Sequence, residues 1–216
     1  MAFIVFEGPE ASGKTTQIKR VEKRLKQDFK NIFLTREPGG TEVSDSIRAL
    51  FKKNFQEEIL PMTELLLVLA SRHQHIEKVI NPILLKEKTL ILCDRFMDST
   101  YVYQGLLQGL KKETIDYHAR PIIKDRLPDL TFVFTLGAKK VLERLKMSRQ
   151  NTEDRLDNFS RESHQRICQG YKNLILEKPS YPNGNIPKRI EIDANMSKES
   201  MTHAIIDAIQ KEGLLL

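Results

Sequence analysis

Two rhythms of apolar residues alternate along this chain. Short, nearly unbroken apolar runs at 3–7, 31–35, 89–93, 130–136 and 189–193 read as strands. Between them, apolar residues recur at helical spacing, as with Ile18, Val21 and Leu25 in 14–25. Further helices are predicted over 44–53, 62–85, 113–125, 137–147, 157–177 and 198–211. The longest, 62–85, carries Met62, Leu65, Leu66, Leu69, Ile76, Val79, Ile80 and Ile83, with Arg72, His73 and His75 interrupting the apolar face. Strand and helix alternate throughout, which predicts one α/β domain over 1–216: a five-stranded parallel sheet between two helical layers. Phe3-Ile4-Val5-Phe6 is apolar at every position, as a central strand covered on both faces must be.

That first strand runs into Gly8-Pro9-Glu10-Ala11-Ser12-Gly13-Lys14-Thr15, which fits G-x-x-x-x-G-K-[ST] at every fixed position. Glycines at both ends let the backbone curl so that its N–H groups point at a phosphate, and the helix after Gly13 adds the positive end of its dipole. Lys14 can reach the outer phosphates and the Thr15 hydroxyl can ligate Mg²⁺. The chain therefore reads as a P-loop NTPase-type protein binding a nucleoside triphosphate through 8–16, Thr16 included.

In an open α/β sheet, ligands collect at the carboxyl ends of the strands. The second strand ends there in Arg36-Glu37-Pro38-Gly39-Gly40-Thr41, and Arg48 follows on the next helix. The third ends in Asp94-Arg95: a carboxylate where Mg²⁺ or its water shell needs one, and a planar guanidinium fork suited to a phosphate. Ser99, Thr100, Tyr101, Tyr103 and Gln104 suit a base held by stacking and edge hydrogen bonds, or equally a core or interface. Arg144, Lys146, Arg149 and Arg155 gather in and beside a polar, poorly periodic stretch, a closing lid at about 144–156 or else a solvated charged turn. His73 and His75 have no acidic or thiol partner at metal-ligand spacing and receive no metal role.

Composition narrows this picture only slightly. The 216 residues carry a formal charge of +6, compatible with nucleic-acid binding, with a site gathering several phosphates, or with a generally basic surface. Cys93 and Cys168 form no CxxC pair, and the N-terminus passes straight into a core strand. Together with the lack of a run of about 18 apolar residues, this predicts a cytoplasmic protein without a membrane span.

Over nearly its whole length the chain resembles the thymidylate kinases, P-loop enzymes that phosphorylate dTMP with ATP. The carrying motifs are Phe6-Glu7-Gly8 through Thr16 and Thr35-Arg36-Glu37-Pro38-Gly39-Gly40-Thr41. They continue with Ala70-Ser71-Arg72 through His75, Asp94-Arg95-Phe96 with Ser99 and Tyr103-Gln104-Gly105, and Pro128-Asp129-Leu130-Thr131. The resemblance implies that Glu37, Pro38, Arg48, Arg72 and Arg95 surround the monophosphate, with Arg95 on its phosphate and Arg72 at the base. Ser99, Thr100, Tyr103 and Gln104 would line the sugar and base. Gly8, Pro9, Glu10, Ala11, Ser12, Gly13, Lys14, Thr15, Thr16 and Arg144 would serve ATP, Thr15 and Asp94 would serve Mg²⁺, and Glu10 would sit near the substrate sugar and phosphate. Ala11 stands where some members carry a catalytic arginine, so the lid residues Arg149 and Arg155 inherit that role, as in the bacterial lid-arginine type. Such enzymes are homodimers, which makes 62–85 a candidate interface rather than core.

Three positions depart from the family pattern. Val68 replaces a phenylalanine that stacks on thymine, losing about 0.5–1.5 kcal/mol of aromatic contact. Thr135 replaces an aspartate at the end of the fourth strand, and Ala11 a loop glycine. The expected reaction is in-line transfer from ATP to dTMP, assisted by Lys14, Mg²⁺, Arg95 and the lid arginines. Rival readings are a kinase for another nucleoside monophosphate or a nucleoside, a GTP switch, for which no Asn-Lys-x-Asp motif is present, and an ATPase that binds nucleic acid.

Overall fold

A computed structural model describes residues 1–148 and 159–215. Among them, five strands form one parallel sheet in the order β2-β3-β1-β4-β5. The strands are β1 (Ala2–Glu7), β2 (Asn31–Arg36), β3 (Thr89–Asp94), β4 (Leu130–Thr135) and β5 (Arg189–Asp193). β1 is central, pairing Phe6 with Asp94 on one side and with Phe132 on the other, and all six of its residues are buried. Its alternate side chains feed two cores: Ile4 and Phe6 pack with Leu92, Phe132 and Ile205, while Phe3 and Val5 pack with Leu65, Leu69, Ile91 and Phe96.

The helices are α1 (Lys14–Leu25), α2 (Glu42–Lys52), α3 (Pro61–His75), α4 (Asn81–Leu84), α5 (Met97–Thr100), α6 (Lys112–Ile123), α7 (Ala138–Ser148), α8 (Arg161–Glu177) and α9 (Lys198–Lys211). Polar caps start several of them. Thr41, Ser160 and Ser197 each accept from the backbone N–H three residues on, satisfying a donor the helix cannot. The predicted 62–85 helix is three pieces, since a π-helical turn at Ile76–Ile80 joins α3 to α4. It lies in the core and not only at a surface: Leu65, Leu69, Ile76 and Ile80 are buried, whereas Leu66 is exposed. α5 likewise runs into a π-helical segment, Tyr101–Leu107, where Gln108 N donates to Tyr103 O, five residues back.

Close packing explains one glycine directly. Gly8 has φ +145°, and a Cβ there would lie 2.7 Å from Phe134 O, so the loop leaves β1 pressed against β4. The predicted lid begins inside α7, which holds Arg144; Arg149 and Arg155 lie outside the described residues. Among the described residues, no helix is long and apolar enough to cross a membrane.

Candidate active site

The carboxyl ends of β1, β2 and β3 open into one cavity of about 400 Å³. Glu10, Ala11, Lys14 and Thr15 line it from the loop after β1, Glu37 and Pro38 from the loop after β2, and Asp94 and Arg95 from the end of β3. Arg48, Val68, Arg72, Ser99, Thr100, Tyr103 and Gln104 line it as well, whereas Gly8, Pro9, Ser12, Gly13 and Thr16 are not part of its lining. Arg144 stands apart: its guanidinium donates to Ala11 O (3.1 Å) and Ala194 O (2.8 Å), tying the phosphate loop to the end of β5. Thr135 donates to Glu191 (2.7 Å) across the sheet edge.

Lys14 is folded back into its own loop, donating to Gly8 O (2.9 Å) and Pro9 O (2.8 Å). Burial, helped by the Arg95 charge, pulls its ammonium down from 10.5 to about 8, against the opposing pull of Asp94, Glu10 and Glu7. Thr15 Oγ1 donates to Asp94 Oδ2 (3.0 Å). Asp94 Oδ1 is buried without a partner among the described residues, so this carboxylate has an unused lone-pair face beside the phosphate loop. No cluster of three or more His, Cys, Asp or Glu capable of holding a metal occurs among the described residues. The pair therefore fits Mg²⁺, which keeps most of its waters and needs only one or two protein oxygens besides phosphate.

Arg95, at the end of β3, is the second cationic centre of the cavity. It adopts φ +73°, a strained conformation for a side chain of this size that costs about 1–3 kcal/mol. Bonds on either side hold it there: Arg95 N donates to Phe6 O (2.9 Å), and Phe96 N to Glu7 Oε1 (2.7 Å). Its guanidinium donates to Glu10 Oε1 (2.9 Å), Ser99 Oγ (3.1 Å) and Tyr171 OH (2.6 Å), and it lies over the Tyr103 ring. Burial disfavours the Glu10 carboxylate, but Arg95, Lys14 and the Tyr103 hydroxyl outweigh it and hold Glu10 below the ordinary value. Glu7 moves the other way: burial and the Asp98 charge push it up to about 7, although Ser99 Oγ donates to it at 2.6 Å.

A second buried charge cluster supports the base side. Glu37 accepts from Arg72 Nε (2.6 Å) and His75 Nδ1 (2.9 Å), and His75 Nε2 shares a 2.6 Å bond with the Thr35 hydroxyl. Arg72 also donates to Thr100 Oγ1 (3.0 Å), Met97 Sδ (3.2 Å) and Phe96 O (2.9 Å). It is 1% exposed, a buried cation rather than a surface one. Gly40 has φ +90°, and a Cβ there would meet Thr35 Oγ1 at 2.6 Å, which keeps this turn tight over His75. Glu37→Ala would strand a buried guanidinium and is expected to cost about 3–5 kcal/mol, read as a lowered urea midpoint. Burial opposes the Glu37 charge, but Arg72 and His75 hold its carboxyl below 4.5. That stabilisation is therefore complete above pH 4.5 and is lost as pH falls through the lowered value.

Tyr101 and Tyr103 divide between the two open readings. Tyr103 lines the cavity and donates to Glu10 (2.6 Å), whereas Tyr101 packs near Tyr181 and donates to Asp116 (2.6 Å). The cavity also recruits residues that periodicity did not single out: Arg36, Phe51, Lys52, Glu64, Phe96 and Leu145, with Glu7 and Tyr171 behind the wall. A detectable signal existed for Glu64, which precedes Val68 and Arg72 by four and eight residues on one helical stripe. Glu7, an ionisable residue ending an apolar strand, was also detectable.

The model of the family described as thymidylate kinase matches residues 6–201, with the phosphate loop, the proline-glycine loop and the Asp94-Arg95 turn all inside the match. The chain belongs to the thymidylate kinase family. It is 39% identical over 210 residues to the thymidylate kinase of Acholeplasma laidlawii, covering 97% of this chain and 98% of that protein. The thymidylate kinase of Mycoplasma capricolum is 35% identical over 208 residues, 96% of this chain and 93% of its own. A crystal structure of thymidylate kinase from Ehrlichia chaffeensis superposes with a TM-score of 0.71 at 29% identity, covering 96% of this chain and 98% of that one. The α/β fold with its five-stranded parallel sheet is thus that of the family.

Proposed function

We propose that this chain transfers the γ-phosphoryl group of ATP to the phosphate of dTMP, giving dTDP and ADP. One observation carries the reading: a phosphate loop and a second cationic centre, Arg95, line a single cavity whose wall also includes the apolar side chain of Val68. A site for hydrolysis alone has no use for a second anion-binding centre. Lys14 would leave its carbonyl partners to meet the β- and γ-phosphates, and Arg95 would exchange Glu10 for the acceptor phosphate. The acceptor oxygen is already anionic, so no strong base is required; alignment and charge neutralisation supply the rate. Thr15 and Asp94 would hold Mg²⁺, which when bound neutralises charge on the phosphate oxygens. Arg72 has five N–H donors, of which the bonds above use four, so one remains for a base carbonyl.

Val68, Ser99, Thr100, Tyr103 and Gln104 would enclose the sugar and base, while Glu37, Pro38 and Arg48 shape the entrance. Arg48 donates to Pro38 O (2.9 Å), which supports that placement. Arg144 would act on ATP indirectly, by fixing the loop at Ala11. Arg149 and Arg155 keep the lid role on the sequence resemblance alone. The family also supports a homodimer in the cytoplasm, with the exposed Leu66 of α3 and Leu60 just before it as contact residues. ADP formation from ATP and Mg²⁺ with dTMP, dUMP, dCMP, dGMP, AMP or no acceptor tests the reading. Stimulation by dTMP is expected; equal stimulation by several monophosphates would overturn the assigned acceptor.

A further inference from the structure

Glu64 has no part in the reaction as derived so far, yet it is a buried acidic side chain, 3% exposed, on the wall of the substrate cavity. It opens a stripe on α3 in which Glu64, Val68 and Arg72 follow at four-residue intervals, and all three line that cavity. Its Oε1 accepts from two amides at once, Gln104 Nε2 at 2.8 Å and Gln108 Nε2 at 2.7 Å. A carboxylate oxygen only accepts, so each amide must turn its NH₂ toward Glu64 and its oxygen away. For Gln104, itself part of the cavity wall, the oxygen is then the end of the amide turned away from Glu64. Among the described residues nothing donates to that oxygen, and it is not among the sealed, unpartnered polar atoms.

We propose that Glu64 is a positioning residue for base selection: by fixing the Gln104 amide it presents a hydrogen-bond acceptor to the base, one that accepts from thymine N3–H. This rests on the reading of the cavity as the dTMP site. The edge of thymine offers a carbonyl acceptor at C4 and a donor at N3, whereas cytosine offers an amino donor at C4 and an acceptor at N3. A wall carrying the remaining Arg72 donor and the Gln104 oxygen acceptor, with Val68 between Glu64 and Arg72, complements thymine and opposes cytosine at both positions. Selection would then rest on polar complementarity, which discriminates more sharply than apolar contact when a mismatch leaves buried groups unpaired. That compensates for the stacking ring absent at Val68.

The test compares kcat and KM for dTMP and dCMP in wild-type protein, Glu64→Gln, Gln104→Leu and the double variant. In Glu64→Gln the new amide can donate or accept, so the Gln104 amide can reverse. KM for dTMP is expected to rise about tenfold with kcat little changed. The dTMP-to-dCMP ratio of kcat/KM should fall about tenfold or more. KM for ATP should stay constant. In the Gln104→Leu background the same change should leave the ratio where Gln104→Leu alone puts it. An unchanged ratio in Glu64→Gln, or an equal further fall in the double variant, would overturn the proposal. Should Glu64→Gln fail to fold, an unchanged ratio in Gln104→Leu would overturn it as well. Failure of the wild-type protein to phosphorylate dTMP would instead refute the assigned activity, a separate result.

Discussion

Lys14→Ala is expected to lower kcat/KM for ATP by about 10³-fold while leaving the protein folded, because it removes the ammonium that would meet the charge developing on the transferred group. Steady-state kinetics beside a thermal melt checks both halves. The stability half follows from the ionisation of Lys14. Burial, with Arg95, lowers its ammonium from 10.5 to about 8, so the folded state binds fewer protons than the unfolded chain between those values. Stability contributed by this group therefore rises with pH across that interval, and at neutral pH the buried charge is a cost to folding. Removing it should leave the melting temperature equal or higher. The wild-type protein adds a pH signature. kcat/KM for ATP should decline as pH rises through about 8, where the free enzyme loses the Lys14 proton. That limb should move to higher pH in kcat, because bound phosphates favour the ammonium.

Arg95→Ala should act on the other substrate. Its guanidinium is the cation paired with Glu10, and the Glu10 Oε2 atom is buried without a partner among the described residues. Truncation removes the donor fork for the acceptor phosphate and leaves Lys14 as the cation that still offsets the Glu10 charge inside the site. A loss of about 2–5 kcal/mol in kcat/KM for dTMP is expected, roughly 30- to several-thousand-fold, with KM for ATP much less affected. Arg95→Lys should recover only part of this, since an ammonium keeps the charge without the bidentate geometry. Equal damage to the ATP and dTMP parameters would mean that Arg95 serves the whole site and not the acceptor.

The fold was legible because periodicity and punctuation agreed. The predicted bounds of α1 and α9 coincide with the structure, and all five strands lie where apolar runs end in glycine, proline or charged residues. The loops at the strand ends were legible for the same reason: a parallel sheet sends them all to one edge, so Lys14, Glu37, Asp94 and Arg95 share a cavity. What stayed hidden depends on pairings between distant residues. Tyr171 meets Ser99 at 2.9 Å across 72 positions of sequence, and nothing in the helix around it distinguishes that tyrosine from a core residue. Glu64 and Gln104 are 40 positions apart, and the π-helical segment that carries Gln104 leaves no mark in the 3.6-residue pattern. The burial of Arg72 was not legible either, because a lone arginine on an apolar helix signals solvent until its partner Glu37, on the loop after β2, is known.

The central claim is that two anion-binding centres, the phosphate loop and Arg95, serve one transfer between two nucleotides. It is tested most directly by following the terminal phosphate of γ-labelled ATP with Mg²⁺ and dTMP and identifying the labelled product. Label in dTDP, with little in inorganic phosphate and little turnover when dTMP is omitted, is the predicted result. Label released as inorganic phosphate at the same rate with and without dTMP would contradict it and make the protein an ATPase.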